Sequence, residues 1–214
     1  MWYKVSREFA AYNQFSNFDQ VANEILEFGY LAQSGKYISY DRIVDAFNEK
    51  KLKFVSENLT VPVYASLKDS TISAHSPMAY DSNGYIWMNA IQCKHYPNIS
   101  ALKQMAAHEL QHAAEHAYKP EHWVLNREKN KHKQWVGHAN QQMITDGDDP
   151  ESWETVTNYY NLPTEVRARL SEVLHNLNLP ANKENLQTQS ATKASLMQII
   201  KDNVNQPRSM LFMS

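Results

Sequence analysis

The stretch "KQMAAHELQHAAEHAY", Lys103 to Tyr118, limits what this chain can become more than any other segment. It reads as one helix, with Ser100 as its N-cap and Pro120 as its stop. Residues four apart on a helix lie about 40° apart around the axis, so His108 and His112 project from one face, one turn apart, with Glu109 beside the first. Leu102, Ala106, Leu110, Ala113 and Ala117 fall into a single apolar stripe, and His108, Glu109 and His112 lie on its flank. Lys103, Gln104, Gln111 and Glu115 occupy the opposite side. Such a helix is expected to bury one face and line a cleft with another.

Two readings of that flank compete. In the plain one it is a polar helix edge whose histidines are solvated or bonded to nearby carboxylates. In the other, two imidazoles one turn apart hold a single zinc ion, and the adjacent glutamate reaches a water on that ion as general base. His116 extends the row of histidines, but three ligands at successive turns would span about 12 Å along the axis, too far for one ion. His116 is therefore expected behind the site or on the surface.

Composition narrows the field. The chain has 214 residues, 43% of them hydrophobic and 11% aromatic, enough for one sizeable core with short additions at either end. Its formal net charge is −2, with basic residues spread along the chain, which argues against a nucleic-acid or anionic-membrane partner. Cys93 is the only cysteine, so intrachain disulfides and cysteine-rich metal sites are excluded; a metal would have to be held by histidines and carboxylates. The amino-terminal "MWYKVSREFAAYNQF" lacks the apolar run of a secretory signal, and no membrane span is expected. The expectation from these features is a protein of the cytoplasm or of a virion, with phage lysis or virion assembly as signal-independent routes out of a cell.

Along the chain, residues 1–60 read as a helical segment packed on the core. Phe18, Val21, Ala22, Ile25 and Leu26 share one helix face; Ile43, Val44, Phe47 and Leu52 follow a cap at Ser39. Between Val61 and Ala90, "VPVYASL" and the two runs of "MAYDSNGYIWMNA", split by the turn signal Asp81-Ser82-Asn83-Gly84, predict a small antiparallel sheet or hairpin. Glu121 to Glu154 is polar and loop-like, and its acidic Asp146, Asp148 and Asp149 lack calcium-loop spacing. A further helix is expected from Pro163 to Leu179, with Val166, Leu170, Val173, Leu174 and Leu177 as its apolar stripe. Residues 181–214 read as a polar linker, a short helix and the apolar end "SMLFMS". Residues 61–180 are thus the expected core.

From about Val61 to Leu179 the chain resembles the zincin metallopeptidases, and among them the small gluzincin-like ones, many of which occur in phage and bacterial genomes. The resemblance rests on His108-Glu109-x-x-His112, on the β-rich segment before it and on a later helix with a suitable carboxylate. It implies an α+β fold with a small antiparallel or mixed sheet. "YIWMN", Tyr85 to Asn89, would be the edge strand along the cleft, to which a substrate can pair as an added strand. It also implies a third ligand on the later helix, a glutamate followed three residues on by a small residue, which "LPTEVRARL" offers as Glu165 and Ala168. The chain departs from the pattern at Arg169, which stands where Asp or Asn often lies and cannot accept a proton from a ligand imidazole. Glu165 and Arg169 also fit a solvated helix pair, and His122, His132 and His138 are fallback ligands. Tyr159, Tyr160 and His138 are candidates for the donor that stabilises an oxyanion.

The expectation is therefore one zinc per chain, held by His108, His112 and Glu165, and hydrolysis of peptide or protein substrates with Glu109 activating the water. A non-catalytic structural or virion protein that keeps this fold, docking through its N- or C-terminal segments, is one alternative. A repressor-cleaving regulatory protease is another, although the N-terminal helices lack a basic recognition stripe.

Overall fold

In the computed structural model, residues 10–35, 39–67, 76–120 and 163–176 are described. Their elements are α1 (Phe18–Ser34), α2 (Tyr40–Glu49), β1 (Lys53–Val55), β2 (Thr60–Ser66), β3 (Met78–Asp81), β4 (Tyr85–Asn89), α3 (Ala90–His95), α4 (Leu102–Tyr118) and α5 (Pro163–Asn176). The architecture is mixed α+β.

The four strands form one sheet in the order β1-β2-β4-β3. β1 runs antiparallel to β2, β2 parallel to β4, and β4 antiparallel to β3. The hairpin expected around Asp81 is present. Gly84 takes the left-handed φ of +95° that the turn requires, its N–H donates to Asp81 O at 2.9 Å, and Asp81 Oδ1 accepts from Asn83 N at 2.7 Å.

This order corrects one expectation. "YIWMN" is β4, an interior strand paired on both sides, and the edge strand is β3. β2 and β4 are the longer strands and bury alternate side chains, which suits them to the middle of the sheet. The opposite edge, β1, is closed by the start of α1: Asn17 accepts from Val55 N at 2.9 Å and donates to Lys53 O at 2.8 Å. Asn89 ends β4 and caps α3, its side chain accepting from Ile91 N and Gln92 N.

One face of the sheet packs Val61, Val63, Ala65, Met78, Tyr80, Ile86 and Met88 into a cluster continuous with Phe18, Ile25, Phe28 and Phe47 of the N-terminal helices and Leu102, Ala106 and Leu110 of α4. α1 comes close to the start of α4 at Gly29, where an added Cβ would collide with Leu102 Cδ1 and meet Ile99 Cγ2 at 3.0 Å.

α4 starts later and lies deeper than its sequence suggested. A 3-10 turn at Ile99–Ala101 leads into it, so Ser100 is not its cap; the Ser100 hydroxyl donates to Asn98 Oδ1 instead. From Ala106 to Glu115 every residue of α4 is buried, including Gln111 and Glu115 from the side expected to face water. Both have partners: Glu115 forms a two-pronged ion pair with Arg167 of α5, and Gln111 accepts from Ala11 N at 3.3 Å.

α5 is turned differently from its apolar stripe. It buries Thr164, Glu165, Ala168 and Ser171, while Val166 is 44% exposed and Leu170, Val173 and Leu174 are half-buried. The face that meets α4 is small and polar because two helices can approach closely there and exchange polar contacts. Ala168 is fully buried, and Ser171 Oγ donates to Ala107 O at 3.0 Å. Among the described residues no helix is long and apolar enough to cross a membrane.

Candidate metal centre

Both histidines of the motif come from the middle of α4, and the third group comes from the first turn of α5. His108 and His112 lie one turn apart with ring centroids 4.8 Å apart and ring planes at 77°, edge to face, and their Nε2 atoms are 3.1 Å apart. The Glu165 carboxylate straddles that pair: one oxygen lies 3.6 Å from His108 Nε2, the other 3.6 Å from His112 Nε2. Glu165 is 2% exposed, which excludes a solvated pair with Arg169. These three residues are the group among the described residues that could hold a metal ion, with their ligand atoms within 4.8 Å of one another.

The donor set suits zinc. Ligand atoms placed tetrahedrally at bond lengths of 2.0–2.2 Å lie about 3.3 Å from each other. The two Nε2 atoms are 3.1 Å apart and each lies 3.6 Å from a different Glu165 oxygen; with one carboxylate oxygen as the donor, the three ligand atoms lie within 4.8 Å of one another, so the carboxylate would have to turn to close the group on one ion. Two imidazoles and one carboxylate also leave a fourth position, the arrangement of a catalytic rather than a closed structural site.

Electrostatics favour a cation there. Burial alone pushes His108 down. Glu172, Glu165 and Glu109 together outweigh it and raise the ring to about 10.

Glu109 faces the edge strand. Its Oε2 accepts the backbone N–H of Tyr80 in β3 at 2.6 Å, which fixes the carboxylate beside the cluster without making it a ligand. The hydroxyl of the same Tyr80 is hydrogen-bonded to His116 Nδ1 at 2.8 Å. His116 is thus engaged with the edge strand and does not belong to the group of His108, His112 and Glu165.

One residue of the site was not anticipated. Glu172 of α5 is hydrogen-bonded through Oε1 to His108 Nδ1, supplying the acceptor that Arg169 cannot. The signal available in the sequence was its position seven residues after Glu165, on the same helix face, but that spacing points to His108 only once the register between α4 and α5 is known. Tyr159, Tyr160, His138, His122 and His132 lie outside the described residues. Comparison of the chain with family models, with curated proteins and with solved structures gives no match.

Proposed function

We propose that the protein is a zincin-like, gluzincin-type metallopeptidase that hydrolyses peptide bonds with one zinc ion per chain. The observation that carries this reading is the convergence of His108, His112 and the Glu165 carboxylate, with ligand atoms within 4.8 Å of one another, and the Glu109 carboxylate held beside them. Glu109 favours a catalytic site over a structural one, since a structural site has no use for a base and is usually closed by a fourth ligand.

A zinc ion in this site supplies Lewis-acid polarisation of the scissile carbonyl and acidifies a water. Glu109 takes the proton from the attacking water and returns it to the leaving amine nitrogen, its geometry fixed by the Tyr80 N–H. β3, rather than β4, is the strand along which an extended peptide would pair, since it forms the sheet edge next to Glu109.

The test is hydrolysis of a fluorogenic peptide library by zinc-loaded parent and Glu109→Gln proteins. The parent is expected to cleave, and the variant to retain zinc while losing about 10²–10⁴-fold in rate. Cleavage by Glu109→Gln at the parental rate, or no cleavage by zinc-loaded parent across the library, would reject the assignment.

A further inference from the structure

We propose that Glu172 is the positioning residue of this metal centre: it keeps the His108 proton on Nδ1 and so presents the Nε2 lone pair to the point shared with His112 and Glu165. This inference rests on the metal-site reading above and adds to it a residue outside the ligand set.

Glu172 stands seven positions after Glu165, about 20° from it around the α5 axis and two turns further along. One face of α5 thus carries two carboxylates with different tasks. Glu165 is 2% exposed and faces Nε2 of both rings. The Glu172 side chain is 36% exposed and reaches Nδ1, the far side of the His108 ring. A metal binds only the neutral ring, which has one donor and one acceptor nitrogen, and when the second proton leaves on metal binding the hydrogen bond made by one nitrogen decides which of them is free for the ion. Without an acceptor at Nδ1, the His108 proton can sit on Nε2, directed at the Nε2 of His112 only 3.1 Å away, or the ring can turn.

Arg169 sits one turn before Glu172 on the same helix and carries donors only, so it cannot replace it. The long glutamate arm is part of the arrangement. Glu172→Asp withdraws the carboxylate by about 1.5 Å, the length of one carbon–carbon bond, and is expected to lose the contact. Glu172→Gln keeps an acceptor oxygen of the same reach but removes the charge.

The experiment is zinc affinity by competition with a chromophoric chelator for the parent, Glu172→Gln, Glu172→Asp and Glu172→Ala. It is paired with ¹⁵N spectra of the histidine rings in the zinc-loaded proteins and with thermal melting of the metal-free ones. Expected are a 10–100-fold loss of affinity in Glu172→Ala and Glu172→Asp, a smaller loss in Glu172→Gln, and a changed Nδ1 signal for His108 in the first two. A purely structural role would lower the melting temperature without moving the His108 signal. The inference is overturned if Glu172→Ala and Glu172→Gln both bind zinc within twofold of the parent with parental His108 spectra. A parent that binds no zinc would instead overturn the metal-site reading beneath it.

Discussion

Glu165 is buried at the junction of α4 and α5, and a carboxylate so placed is costly unless cationic or hydrogen-bonding groups surround it. The two imidazoles facing it supply that environment. A different balance holds at Cys93, which is buried in the core with its thiol near Pro77 O at 3.7 Å. Burial raises that thiol from 9.0 to about 12. Because the folded value is raised, the resulting stability is fully present below pH 9, where the thiol is neutral in both states. It is lost as pH climbs from 9 towards 12 and the unfolded chain alone ionises. Cys93 should accordingly resist a thiol reagent at pH 8 in the native protein and react fully after unfolding. Rapid stoichiometric labelling of the native protein would show that it is not buried.

Between elements, the seam of α4 and α5 determines whether His108, His112 and Glu165 meet. Ala168 is fully buried there. Ala168→Leu should overpack the seam, cost about 1–3 kcal/mol in chemical denaturation, and lower zinc affinity by pushing Glu165 away from the histidines. A variant of parental stability and affinity would mean that close approach is not needed. One turn past His112, the part-buried Glu115–Arg167 pair joins the same seam. Removing only the arginine, as Arg167→Met, should destabilise by about 1–3 kcal/mol because the buried Glu115 keeps only the hydrogen bond from Gln111 Nε2; adding Glu115→Gln should restore most of that loss. Additive losses in the double variant would contradict this account of the pair.

The same seam shows what the sequence could and could not disclose. The burial of Glu165 and Ala168 on one face was legible because a glutamate followed three residues on by a small residue is a local pattern on one helix. The facing of α5 was not, since Val166, Leu170 and Val173 form a convincing stripe and only the contact with α4 shows that the polar, small side is the buried one. Glu172 was missed for the same reason. The burial of Gln111 and Glu115 depended on Ala11 and Arg167, which are distant in sequence.

In the whole molecule, the N-terminal helices, the sheet and α4 share one apolar cluster, and the candidate centre lies between that core and α5. The helices and the β-hairpin were readable from periodicity and turn chemistry. Strand order was not, because alternation identifies a strand but not its neighbours: β4 looked like an edge and is interior, while the short β3 takes the edge position beside Glu109. Because α4 packs Leu102, Ala106 and Leu110 into that cluster, substitutions at His112 and Glu165 should leave the protein folded.

The most direct test is elemental zinc content per chain, measured on untagged parent, Glu109→Gln, His112→Ala and Glu165→Ala proteins after reconstitution. The account predicts about one zinc in the parent and in Glu109→Gln, as one three-ligand site requires, and loss of zinc from the other two with folding retained. A parent without zinc, or a Glu165→Ala protein that still holds it at the parental level, would contradict the proposed centre.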